Sequence, residues 1–486
     1  MTTRREVIKH ALVSGASLAL LTSCRGFSPS ATTNVDPKAI SKLRASLKGR
    51  LILPGDPQYE AARRVLWWNP ATDKYPSAIA QCAQAEDVAR CVDFARQHSL
   101  TVAVRAGGHS ALGWGTCAGG LVIDVSPMKD IAIDPTGQTA RAGAGVLAQD
   151  MVSAAARYGL APVLGECGTV GIAGLTLGGG LGWLSGRYGA TCDSLLSVDL
   201  CTADSRAIIA NEQSSPDLFW ALRGGGGNFG VATSLRYRLH PVTQVLAGGF
   251  AFRFGDARHV LRSYREFMDS APDGLQALAC LVAGQERVVT VIVVYSGDLQ
   301  EGERVVAKVR SFGAPMRDTV QRRAFTETFS LQPHGESVPT AFSVNKTTYV
   351  QRLSDEAIDA SLERFAACPA GSTMGFDHYM HGQVCRVPPD ATAFELRAPG
   401  ALHVWISSGW NDPAAAATFM TWADDTWKIL QQYSGGRLYA NYMSVEGDSA
   451  VRAVYGSNYS RLASIKRKYD PGNLFRLNPN IRPSET

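Results

Sequence analysis

Between residues 73 and 242 the chain alternates short apolar runs with amphipathic stretches. Val88, Cys91, Val92 and Ala95 recur at i, i+3, i+4 and i+7 behind opening acidic residues, which predicts a helix over 86–98. Apolar runs at 101–105 and 120–125 read as strands. Residues 147–158 read as a helix stopped by Gly159, and a short helix opens at Asp217 behind Pro216. Val231, Thr233, Leu235, Tyr237 and Leu239 then alternate as one face of a half-buried strand. This part is an α+β unit with glycine loops at its strand ends.

The pattern changes after Pro241-Val242. Strands are expected at 250–254 and 287–295, and helices at 298–311, 354–367 and 412–433, the last with Asp412 as N-cap and Pro413 in its first turn. Residues 243–434 read as a second domain, a sheet backed by helices. The segment 435–486 holds one helix and an irregular tail. At the other end, Thr3-Arg4-Arg5-Glu6-Val7-Ile8-Lys9 resembles a twin-arginine export motif, followed by an apolar run over 11–21 too short to span a bilayer. Leu21-Thr22-Ser23-Cys24 resembles a lipobox. The expected organisation is a signal over 1–23, a flexible tether and N-terminal arm over 24–60, and a first domain over 61–242. The only membrane contact expected is a lipid on Cys24, which implies an exported, periplasmic or cell-surface protein.

Bulk composition narrows the class. The 486 residues are 45% hydrophobic and 19% charged, so two large cores are affordable and disorder is excluded. A formal charge of +5 is mild, and scattered basic residues argue against a nucleic-acid partner. Nine cysteines follow the signal, without any Cys-x-x-Cys pair, so no metal site is expected. Cys91 and Cys201 read as buried apolar residues, and an odd count leaves at least one free thiol.

Four segments carry the chemistry. In Val104-Arg105-Ala106-Gly107-Gly108-His109-Ser110 a strand ends in two glycines, whose amides suit an anion, with a histidine on the loop beyond. Residues 165–183 contain Cys167, Val170 and an unusual density of glycines, including Gly171, Gly174, Gly178, Gly179 and Gly180. Such a run predicts neither a regular helix nor a central strand. It suits backbone passing close to a flat ligand. It is not a dinucleotide fingerprint, lacking the long helix and the acid that should follow. The third segment runs from Asp217 through Gly224–Gly227 to Val231, and the fourth contains Tyr439, Asn441 and Tyr442, then Tyr469-Asp470-Pro471-Gly472.

In this order, from about Arg64 to Pro483, these segments resemble the FAD-linked oxidases of the vanillyl-alcohol-oxidase superfamily, in particular its berberine-bridge-enzyme-like branch. The resemblance implies a two-part FAD-binding domain of the PCMH type and a substrate domain with an antiparallel sheet backed by helices. His109 matches the histidine bonded to the flavin 8α-methyl carbon, and Cys167 the cysteine bonded to position 6, so FAD is expected on two covalent links. Arg105, Ala106, Gly107, Gly108, Ser110, the five glycines above, Val231 and Asn441 would line the cofactor. Val170 matches an oxygen gatekeeper, with valine the oxidase version. Tyr439 is the first candidate for the base, Tyr442 its competitor. Asp377, His378, Tyr379 and His381, expected on one strand, bring Tyr379 or Asp377 in as helpers. A phenol with a pKa of about 10 must be perturbed or relayed to accept a proton at neutral pH. The implied activity is oxidation of a sugar, alcohol or secondary metabolite with O2 reduced to H2O2. The rivals are a dehydrogenase using another acceptor and a flavin-loaded binding protein. Phe394-Glu395-Leu396-Arg397 lacks the histidine that many relatives place before the arginine, so no relative's substrate transfers directly.

Overall fold

The computed structural model describes residues 35–331, 340–444 and 447–485. The expected signal and lipobox lie outside them. The tether's end is not irregular: Pro37–Ser46 is a helix, because Asp36 caps the Lys38 amide and Pro37 occupies the first turn.

Two sheets build the first part. Arg50–Ile52, Ala78–Gln81, Leu121–Asp124 and Val102–Arg105 form a four-stranded sheet in that spatial order, parallel except at its first pair. The helix Ala85–Gln97 packs Val88, Cys91, Val92 and Ala95 into the core, as the spacing predicts. A five-stranded antiparallel sheet follows, with Val231–Arg238 at its centre. The glycine-rich segment departs from expectation. Ile172–Leu177 is a six-residue helix that buries Ile172, Ala173, Thr176 and Leu177, with Gly171 and Gly178 at its ends. Only Gly174 lies inside this helix, and the other glycines flank it, so the run does not prevent it.

The second part is an eight-stranded antiparallel sheet. Its strands Leu275–Ala283, Phe342–Val350, Ser372–Asp377 and Leu402–Trp410 neighbour one another. Helices Ala257–Met268, Leu299–Arg310, Asp355–Ala366 and Ala416–Leu430 bury residues in the core on one face. The other face turns Leu278, Cys280 and Trp405 into the core of the first part. The helix expected over 412–433 is split: Asp412 caps a 3-10 turn at Pro413–Ala415, and regular helix starts at Ala416. The strand expected through His381 ends at Asp377, since His378 adopts φ +50, a conformation that breaks the ladder. All nine cysteines of the described residues are free.

Candidate active site

The two glycine loops meet backbone to backbone. A Cβ on Gly107 would fall inside the Gly171 amide, and one on Gly171 would lie 2.5 Å from the Gly107 nitrogen and 3.0 Å from the Ala106 Cβ. Gly107→Ala is therefore expected to unseat both loops, read as lost flavin retention and a lower unfolding midpoint. His109 and Cys167 are both half-buried and converge on one hydroxyl: Thr169 Oγ1 lies 3.0 Å from His109 Nε2 and 3.4 Å from Cys167 Sγ. Val170 is partly exposed beside them, its N–H donating to the Cys167 carbonyl. Gly174 is exposed, and a Cβ there would meet nothing. A flat bulky group therefore fits against this helix and beside the two candidate attachment atoms.

The other candidates serve the protein as well. Arg105 is buried, with its guanidinium on Asp124 at 2.8 Å and on the Ala62 carbonyl. Ser110 Oγ accepts from the Trp114 amide, and Val231 is buried at the start of its strand. Gly178 lies against the Asn441 side chain, Gly179 against the Phe394 ring and Gly180 against Thr191.

The two tyrosines occupy different environments. Tyr439 is buried, and its hydroxyl accepts from the Gly180 N–H at 2.8 Å and from Asn441 Nδ2 at 2.9 Å. Asn441 also donates to the Leu175 carbonyl, so Tyr439 and Asn441 together staple the glycine loop. Tyr442 is only half-buried, and its hydroxyl lies 3.0 Å from His378 Nε2 with the two rings stacked. His378 Nδ1 in turn lies 3.5 Å from Asp377 and 3.6 Å from Glu166. Burial holds both phenols above their ordinary range, and for Tyr442 the carboxylates of Asp377 and Glu166 add to it. Burial pushes the His378 and His403 imidazoles down and the Asp377 carboxyl up. His403 sits among Tyr349, Tyr439, Tyr442 and His378, with ring centroids 4.9–5.9 Å away.

Tyr379 turns away from this cluster. Its hydroxyl donates to Asp269, and its ring packs edge-on to Tyr264 in the core on the helical face. The positive φ at His378 separates it from Asp377, so no alternating row forms. His381 faces Gln276 instead. Glu166, Thr169 and His403 were not singled out by sequence. Glu166 alone carried a signal, as the neighbour of Cys167.

Residues 76–211 match the family model described as FAD binding domain, and residues 438–482 the one described as Berberine and berberine like. The (R)-6-hydroxynicotine oxidase of Paenarthrobacter nicotinovorans is 32% identical over 90% of this chain and 97% of its own. The chain belongs to the berberine-bridge-enzyme-like family of FAD-dependent oxidoreductases. Among solved structures, 6-hydroxy-D-nicotine oxidase from Arthrobacter nicotinovorans superposes with a TM-score of 0.83 at 29% identity, covering 90% of this chain and 99% of that one. Physcomitrella patens BBE-like 1 superposes at 0.81 and 25% identity, covering 92% and 99%.

In this oxidoreductase the berberine-like segment fastens the glycine turn at Gly224–Gly227. Tyr455 Oη donates to the Gly225 carbonyl, Asn228 Nδ2 to those of Gly225 and Pro479, and the Ile481 N–H to Asn228 Oδ1. A buried bidentate pair, Arg397 on Asp193 at 2.7 and 3.0 Å, ties the Phe394–Arg397 segment to the first part. The role of Arg397 is thus structural, whatever precedes it.

Proposed function

We propose that this oxidoreductase is an oxidase that holds FAD covalently through both His109 and Cys167, and that it oxidises an alcohol, sugar or secondary-metabolite substrate. The observation that supports this reading is the convergence of His109 and Cys167 on the Thr169 hydroxyl, an imidazole nitrogen and a thiol beside one another as a double link to one ring edge needs. When bound, FAD supplies the hydride acceptor and returns two electrons to O2 as H2O2. The chain's own work is to orient and to move a proton. His109 and Cys167 fix the ring edge, the Gly107–Gly171 contact sets the loop spacing, and Tyr439 locks the Gly178–Gly180 turn. Tyr442 then takes the substrate proton. Tyr442 is half-buried as a residue and its hydroxyl has a proton acceptor behind it, whereas the Tyr439 hydroxyl is spent on two donors.

The relative's name adds 6-hydroxynicotine to the compounds that merit testing. Export through the twin-arginine route, with a lipid on Cys24, completes the reading. The decisive experiment is acid precipitation followed by peptide mass analysis. Flavin mass on a peptide containing His109 and bridged to one containing Cys167 is expected; flavin lost wholly to the supernatant overturns the double link. Val170→Leu is expected to slow reoxidation of the dithionite-reduced enzyme by O2 without changing its flavin content. Wild-type reoxidation as slow in air as with the variant would favour a dehydrogenase.

A further inference from the structure

We propose that Thr169 is the proton-transfer residue of flavin attachment: its hydroxyl takes the Cys167 thiol proton and hands its own to His109 Nε2. This rests on the reading of a double link through His109 and Cys167.

The local sequence fixes this hydroxyl between its two partners. Cys167-Gly168-Thr169-Val170 is a tight turn, closed by the Val170 N–H on the Cys167 carbonyl at 3.2 Å. The start of helix Ala148–Ala156 clamps it: the Ala148 N–H donates to the Val170 carbonyl at 2.9 Å, and the Gln149 N–H to that of Gly168 at 3.0 Å. Gly168 has no room for a side chain, since a Cβ there would lie 2.9 Å from Gln149 Oε1. On the other side, a Cβ on Gly107 would lie 3.2 Å from the Thr169 carbonyl, so the loop that carries His109 is pressed against the same turn. Thr169 is branched at Cβ and has few rotamers open to it. Its Oγ1 stands 3.0 Å from His109 Nε2 and 3.4 Å from Cys167 Sγ.

Counting hydrogens gives the direction. The hydroxyl holds one proton, so a neutral thiol and a neutral imidazole connect through it in one way: S–H to Oγ1, and Oγ1–H to Nε2. Moving both protons one step leaves a thiolate, an intact hydroxyl and an imidazolium, still hydrogen-bonded throughout. A thiolate is the form of cysteine that attacks carbon. The other groups around the thiol give its proton no outlet. Tyr442 faces it as a phenol, which burial and the carboxylates of Asp377 and Glu166 keep protonated. Glu166, next in the chain, turns its carboxyl to His378 at 3.6 Å and to Asp377. His378 lies behind Tyr442, and Arg105 is held on Asp124. Thr169 itself is exposed, so water reaches it in the free chain. A ring bonded to both of its neighbours would cover the thiol, whose proton then needs this internal route. The Cys167 S–H bond breaks and an S–C bond forms at flavin position 6, whose own hydrogen leaves as a proton. Those two protons and the two electrons released go to O2, which becomes H2O2, so atoms and electrons balance.

Peptide mass analysis of the purified, flavin-loaded protein tests this without any substrate. Wild type and Thr169→Ser, which keeps the hydroxyl, should carry flavin bridged between the His109 and Cys167 peptides at pH 7. Thr169→Val should carry it mostly on His109 alone, with Cys167 left open to iodoacetamide. Formation of the second link should be about 100-fold slower without the positioned hydroxyl. Incubating Thr169→Val in air at pH 9.5 should then bridge it, because hydroxide takes the proton that the relay no longer can. A purely structural role for Thr169 would not be repaired by pH. Three results would each overturn the proposal while the double link stands: Thr169→Val bridged as fully as wild type at pH 7, Thr169→Val still unbridged at pH 9.5, or Thr169→Ser left unbridged. Thr169→Ala takes the same readings if Thr169→Val does not fold or holds no flavin. A wild type without bridged flavin would overturn the double link and the proposal together.

Discussion

Tyr442→Phe is expected to slow flavin reduction by about 10²- to 10⁴-fold, the usual range for loss of a positioned proton-transfer group. The ring stays stacked on His378 and edge-on to His403 and Tyr439, so packing is kept and only the hydroxyl goes. The fall should lie in the limiting rate, with half-saturation nearly unchanged, as befits a contact used in the transition state more than in substrate binding. Tyr439→Phe makes the contrast. It strips an acceptor from the buried Gly180 N–H, at about 1–3 kcal/mol for a buried donor left without its partner, and one of two acceptors from the half-buried Asn441 Nδ2. Its expected signature is a lower unfolding midpoint and looser flavin. Stopped-flow reduction and thermal unfolding of the two variants separate the roles; a larger rate loss in Tyr439→Phe than in Tyr442→Phe would reverse the assignment.

Local residue types mark some parts of this site and not others. The close approach of the loops that carry His109 and Cys167 is legible because each is glycine-rich, and the need for close backbone contact shows directly as missing side chains. The tyrosine pair was legible as a motif, but not the division of labour within it. That depends on Gly180, some 260 residues earlier, and on His378, neither of which local spacing can place. The strands that roof the site were invisible for a different reason. Leu275–Ala283 and Leu402–Trp410 are buried across both faces, and Phe342–Val350 is half-buried in its first part and buried throughout its second, so the alternation that marks a half-buried strand is absent. Three residues lie in one row across that roof, Tyr349 opposite His403 and His403 opposite Asp377, and local sequence marks only Asp377. The separation of Asp377 from Tyr379 hangs on one positive φ, which the residue types gave no reason to expect.

Asp470→Ala is expected to cost about 3–5 kcal/mol of stability, the penalty for leaving one partner of a buried ion pair alone. Lys466 is 0% exposed, with Nζ 2.6 Å from Asp470 Oδ2 and also donating to the carbonyls of Asn228 and Phe475. Asp470 further accepts from the Leu474 and Phe475 amides, so it closes the turn after the last helix as well as balancing the charge. The loss should be felt at the flavin, because the Asn228 carbonyl held by Lys466 ends the glycine turn at Gly224–Gly227. Burial lowers the Lys466 pKa in the folded chain, so the unfolded chain binds more protons between that value and about 10.4. Stability should therefore rise with pH across that interval, and the deficit of Asp470→Ala should shrink as the unpaired ammonium loses its proton. Adding Lys466→Met to Asp470→Ala removes the unpaired charge and should recover part of the loss. The remainder measures the carbonyls of Asn228 and Phe475 that then lack a donor. Urea unfolding of the wild type and the two variants at pH 6 and pH 9 checks each step, and a deficit of Asp470→Ala that stays constant between those pH values would show that the pair contributes no buried charge.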